Sequence, residues 1–458
     1  MLFRRLIAGF LLTTAAIVPG HATEATASFT LPNGLQVVVL PDHRLPVVTH
    51  VVYFRAGSAD DPAGQTGIAH FLEHLMFKGT KRFPTGQYDL IVTRTGGTNN
   101  AFTSNDKTYY YEQFLKDGLG RIMDLNADRM ARLAFAPIEA QHELKVVIEE
   151  RRSYDNDPES VLAEKVGRAL YGAGPYGHPV LGEAAETAAL TLSAALGFHD
   201  RFYVPGNAIV IVAGDVEPEA VLRLAQSTYG RLATGPALPT RAWSAAPATC
   251  ANGRIEERHE RVPRDKLSLY FVTPGAKRLD AKTAAALQLL ADILQDESGS
   301  PLWQDLVARA GIASDVSAGY DMRLASGEFS IGAQAEAGIE AKQLEIALLT
   351  SLNRLRRTGV NAVALAGAKR RWLAGRLLSA DDQLGQATRY GEQLALGRTL
   401  NQIEGEPQAI AAVTLSDVNA AIGRFLGERC AVSALLEATG APVGDSAPVP
   451  THPTNTVH

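Results

Sequence analysis

The sequence predicts an α+β chain made of two homologous α/β domains related by internal duplication. Three observations lead there. The order strand, strand, loop, helix occurs twice, at 36–40, 47–55 and the apolar helix around residue 70, then at 254–261, 266–272 and 281–294. Laying YFRAG at 53–57 on FVTPG at 271–275 aligns the halves at an offset of 218 residues. Between them, residues 232–252 are rich in Ala, Pro and Thr, the composition of a linker.

The expected division is a leader at 1–22, a first domain at 23–235, a linker at 236–252, a second domain at 253–437 and a loose tail at 438–458. The leader carries Arg4 and Arg5, an apolar core of 13 residues from 6 to 18, then Pro19, Gly20, His21 and Ala22, with small residues where a signal peptidase reads. Thirteen apolar residues fall short of the roughly 20 that span a bilayer. A cleaved leader puts the mature chain in the periplasm or outside the cell; a retained anchor is the alternative. No later segment is long and apolar enough for stable membrane insertion. The tail contains Pro442, Pro448, Pro450 and Pro453 and no core-forming pattern.

At 458 residues and 46% hydrophobic content, the chain can bury two sizeable cores. Lys plus Arg is 44 against 49 for Asp plus Glu, a net charge of −5; loss of the leader's two arginines makes it −7. That balance argues against nucleic acid as a partner. The two cysteines, Cys250 and Cys430, lack metal-ligand spacing. They lie near the start and end of the second half, where they either pair or remain separate buried thiols.

The chemistry is concentrated in GIAHFLEHLMF at 67–77. Residues four apart on a helix share one face, so His70 and His74 can converge on a single ion. Glu73 lies beside them but off the ligand axis, which suits a base. This is the inverted zinc motif H-x-x-E-H. Ile68, Phe71, Leu72, Leu75, Met76 and Phe77 surround the polar trio, so the helix is mostly buried, and buried ionisable groups need a partner or a metal. A hydrolytic zinc site takes three protein ligands and leaves one position open. A second helix, beginning at Pro137 and running through 152, carries Glu143 and Glu150 two turns apart on one face, with Glu149 rotated about 100° away. One of the pair can ligate and the other can hold a ligand in place.

These motifs, together with LPNGL at 31–35, YFRAGS at 53–58, HFLEHLMFKGT at 70–80, GGTNNAFT at 96–103, YVPGNA at 203–208 and GDV at 214–216, resemble the pitrilysin, insulin-degrading enzyme and mitochondrial processing peptidase family of zinc endopeptidases. The likeness covers most of the mature chain. It implies that each domain is a mostly antiparallel sheet with helices packed on one side. It also implies one Zn2+ per chain on His70, His74 and Glu150, with Glu73 as the general base and Glu143 as the acid that steadies the site. By the same resemblance, Asn99, Asn100, Ala101, Phe102 and Thr103 form a substrate-binding edge strand; from its residues alone that stretch reads as an ordinary surface strand. The implied activity is hydrolysis of peptide bonds in short or unfolded polypeptides. A catalytically silent peptide-binding or structural subunit is the alternative.

The offset of 218 turns His70, Glu73 and His74 into Gln288, Ala291 and Asp292, so the second half carries no site. Family members commonly place an arginine and, seven residues later, a tyrosine in the second domain, both reaching the substrate. The matching positions here are Val307 and Ser314. The resemblance therefore implies a second subunit of the same family that supplies the pair. The alternative is a homodimer in which Arg309 and Tyr320 serve.

Overall fold

The computed structural model describes residues 25–238, 241, 253–297, 299–427 and 431–439. In it, two strands have no polar face. β3 (Val47–Phe54) is buried at seven of its eight positions, and β6 (Ala208–Gly214) at every one. Strands of this kind belong in the middle of a sheet covered on both sides.

The first sheet consists of β1 (Ala27–Thr30), β2 (Gln36–Pro41), β3, β4 (Thr98–Thr103), β5 (Thr108–Leu115) and β6, in the order β1-β2-β6-β3-β5-β4. Every pairing is antiparallel except β2 with β6. The second sheet consists of β7 (Gly253–His259), β8 (Lys266–Pro274), β9 (Ala313–Asp321), β10 (Ser326–Ala335) and β11 (Ala431–Ala438), in the order β7-β11-β8-β10-β9. Here β7 and β11 form the parallel pair. With β1 set aside, both sheets have the same order and the same strand directions, each with its last strand inserted beside its first. That is the expected α+β duplication.

The strands expected from sequence are present with ends displaced by one or two residues, and the helix expected at 281–294 is Ala281–Leu294. The offset of 218 carries the helix Ile68–Leu75 into the middle of that helix. Strand β11 includes Ala438, which the sequence reading assigned to the tail. The leader, most of the linker, Cys250, Cys430 and the tail beyond 439 lie outside the described residues.

Within the first half, helices pack on one face of the sheet, where Val37, Val48, Val52, Tyr110 and Val210 meet Ile68, Phe71, Leu72 and Ile122. The other face is covered by the second half. Helix Gln383–Ala395 lays Ala387, Tyr390 and Leu394 on Val38, Val51, Tyr53 and Ile211. The exchange is reciprocal, because helix Pro158–Tyr171 of the first half lays Leu162, Val166 and Leu170 on Val432, Ala434 and Leu436 of the second sheet. Gly391 is where the borrowed helix touches β3: a Cβ there would lie 2.0 Å from the Tyr53 ring. The ring cannot easily yield, since its hydroxyl donates to Thr388 O at 3.2 Å. Gly391→Val is therefore expected to destabilise the protein by about 1–3 kcal/mol through overpacking, read from denaturant unfolding.

Candidate functional site

The motif helix, Ile68–Leu75, is buried at all eight positions. It begins at Gly67, whose φ of +87° is a left-handed conformation that glycine adopts without a Cβ penalty. Asp61 then accepts from Gly67 N at 2.7 Å and Ala69 N at 3.1 Å, satisfying amides that the first helical turn leaves open. The apolar residues of the helix enter the core. Its opposite face carries His70, Glu73 and His74, only 7%, 8% and 3% exposed.

The second helix expected from sequence is Pro137–Asp155, with proline in its first turn and Glu139 accepting from Ala136 N. It crosses the motif helix so that Glu143 and Glu150 both face it, while Glu149 points outward to Arg152. Glu143 Oε1 lies 2.9 Å from His74 Nδ1, the pairing that puts the ring proton on Nδ1 and leaves Nε2 as a lone-pair donor. Glu150 Oε2 lies 3.5 Å from His70 Nε2 and 3.4 Å from His74 Nε2. Ligands on a tetrahedral zinc with bonds of about 2.0–2.1 Å stand roughly 3.4 Å apart, the spacing at which the Glu150 oxygen stands from both nitrogens. Among the described residues, His70, His74 and Glu150 are the grouping with the donor atoms for a metal.

The electrostatics fit as well. Burial alone would press His74 towards neutrality, but Glu143 and Glu150 raise it to about 9. A pocket that holds a proton so firmly also attracts a cation in its place. Burial would raise Glu143, yet hydrogen bonds from His74 and Lys78 hold it at about 2, so it remains an acceptor. Burial lifts Glu73 to about 7, with Thr103 and His74 opposing and Glu150 adding to the rise. A carboxylate poised near neutrality suits proton transfer.

The family follows from comparison with known proteins. Residues 36–184 match the model described as insulinase (peptidase family M16), and residues 189–371 match the peptidase M16 inactive domain. An uncharacterized zinc protease of Mycobacterium bovis is 31% identical over 435 residues, covering 90% of this chain and 94% of that protein. The chain belongs to peptidase family M16. Zinc protease PqqE of Helicobacter pylori is 34% identical over 337 residues, 71% of this chain and 74% of its own. The crystal structure of a protease from Helicobacter pylori superposes with a TM-score of 0.83 at 27% identity, covering 90% of this chain and 99% of that one. Pitrilysin shares the fold, with a TM-score of 0.77 at 19% identity, over 91% of this chain and 45% of its own.

In this M16 chain, Asn99, Asn100, Ala101, Phe102 and Thr103 all lie on β4, the outermost strand of the first sheet, with one edge paired to β5 and the other unpaired among the described residues. They are not equivalent. Asn99 reaches Asp89 at 3.3 Å, the Asn100 side chain accepts from Ala101 N at 2.8 Å, and Phe102 is 52% exposed. Thr103 is buried, and its hydroxyl donates to Glu73 Oε2 at 2.5 Å. In the second half, Val307 sits in the helical turn Gln304–Arg309 and Ser314 on β9, where it donates to Ala335 O at 3.3 Å. Arg309 is engaged by Asp305 at 3.0 Å. Tyr320 lines a cavity of about 210 Å³ between the halves with Gln288, Lys107 and Glu392.

The sequence reading missed three supports of the site. Lys78 pairs with Glu143 Oε2, and its spacing of four from His74 was a usable signal. Thr103 was assigned to substrate without its bond to Glu73. The third is a buried network behind the motif helix, which no periodicity announces. Glu112 lies 2.8 Å from His50 Nδ1 and accepts from Tyr88 at 2.5 Å and Asn126 at 2.9 Å. Arg129, 4.0 Å from Glu112, stacks over Tyr88 and donates to Met76 O just beyond the helix. Burial would raise Glu112, but His50, Arg129 and Tyr88 together hold it below its ordinary 4.5. Glu112→Gln leaves Arg129 uncompensated and is expected to cost about 3–5 kcal/mol near neutral pH. Because the folded-state pKa is depressed, the stabilisation is complete above 4.5 and fades as pH falls through the lowered value. The gap in unfolding free energy between wild type and variant should therefore narrow below pH 4.5.

Proposed function

We propose that this chain is a zinc-dependent endopeptidase that cuts short or unfolded polypeptides, with one zinc per chain held by His70, His74 and Glu150. The supporting observation is the approach of Glu150 Oε2 to both Nε2 atoms, with Glu73 alongside. Zinc bound there supplies Lewis acidity, which polarises a scissile carbonyl and brings the pKa of water towards about 7.

The protein groups do the rest. Glu73 accepts the proton of the attacking water and delivers it to the leaving amine. Glu143 keeps His74 in the tautomer that presents Nε2. The open edge of β4 receives the substrate by main-chain pairing, which requires an extended peptide and disfavours folded proteins. Val307 and Ser314 stand at the positions of the Arg/Tyr pair, so a second subunit of the same family is proposed to supply it; a homodimer is the other form. The division into 23–235 and 253–437 stays part of the proposal, with the exchanged helices crossing it. The leader expected at 1–22 favours a periplasmic or secreted protein, as does the periplasmic protease PqqL of Escherichia coli, a fold neighbour at 19% identity. No helix among the described residues is long and apolar enough to cross a membrane.

Glu73→Gln is expected to lower turnover of an unstructured peptide by roughly 10²–10⁴-fold while zinc content is kept. Wild-type turnover in that variant would sink the enzyme reading in favour of a silent peptide-binding subunit. Chelation, or Glu150→Gln, should remove zinc and activity together and lower the melting temperature, since the ion binds the folded state. Full activity from the purified chain alone would reject the partner subunit.

A further inference from the structure

Thr103 ends the strand expected to hold substrate, yet its side chain is unavailable to one. Along β4 the residues alternate: Ala101 packs towards the core, while Phe102 lies against Tyr109 on the other face and is half exposed. Thr103 therefore falls on the same face as the motif helix and is 6% exposed. Among the described residues its hydroxyl bonds Glu73 Oε2 at 2.5 Å and Thr108 Oγ1 at 3.3 Å. Thr108 spends its own proton on Ala56 O at 3.1 Å. The Thr103 proton accordingly goes to the carboxylate, in the shorter of the two contacts.

We propose that Thr103 is the positioning residue of the base: its hydroxyl ties Glu73 Oε2 to the end of the edge strand and so fixes the carboxylate that takes the proton. The inference rests on the peptidase reading above. It makes the strand that lines up a peptide and the carboxylate that acts on it one connected unit. A hydroxyl acting through Glu73 affects the chemical step and leaves peptide binding to the rest of the strand.

Two substitutions test it. Thr103→Val keeps the shape and removes the donor; Thr103→Ser keeps the donor and removes a methyl. With an unstructured peptide, Thr103→Val should lose roughly 10–100-fold in kcat with KM within about twofold, and Thr103→Ser should recover most of that loss. Zinc content per chain, measured by metal analysis, should match wild type in both. Unchanged kcat in Thr103→Val overturns the proposal, as does a loss confined to KM, which assigns the residue to substrate. Equal losses in the two variants also overturn it, because they mark a packing role. Glu73→Gln is run alongside. If it is inactive while Thr103→Val is normal, the positioning role alone falls; if it turns over like wild type, both readings fall.

Discussion

The site depends on compensating charge inside a buried helix. His70, Glu73 and His74 are all nearly inaccessible, and three ionisable groups on one buried face are stable only if something answers them. Glu73 is answered by the Thr103 hydroxyl, and the two histidines by a single second helix, whose Glu143 and Glu150 are two turns apart and so reach the same face together. One carboxylate orients an imidazole and the other completes a set of three donors. Behind the helix, Glu112 and Arg129 form a second compensated pair, so the histidine-bearing side and the core-facing side are both held by matched charge. A helix supported in this way keeps its side chains in place before any ligand arrives.

The two halves form one covered structure. Each sheet has a face that its own helices leave bare, and each is closed by a helix from the other half. This exchange fixes the halves against each other through packing, independent of the linker. It also bears on the edge strand. The turn after β4 is tied down by Asp106, which accepts from Tyr176 at 2.7 Å and from Leu324 N of the second half at 2.9 Å, and by Lys107, paired with Glu392 at 3.2 Å. The end of β4 that touches Glu73 is thus anchored by residues more than 200 positions away. The half without donor residues gives the other a rigid edge.

The duplication separates fold from chemistry. Both sheets share one strand order, and both place a helix on the equivalent face, yet Gln288, Ala291 and Asp292 replace the motif in the second half. No metal-binding group is found there among the described residues. The scaffold tolerates either set because packing reads shape and apolarity, whereas coordination reads particular atoms at particular places.

What the sequence determined by itself was everything set by local period. A spacing of four put His70 and His74 on one face, and a spacing of seven did the same for Glu143 and Glu150. The duplication was legible too, because two copies of one pattern leave an offset. Assigning Glu150 to the histidines needed a family resemblance, since no helical or strand period reaches across 76 residues. The tertiary structure decided the exchange of helices, the anchoring of β4 by Asp106, the Glu112–Arg129 network and the contact of Thr103 with Glu73. Each is a meeting of residues from separate elements, and such meetings are set by how whole faces pack, which the local order of side chains does not encode.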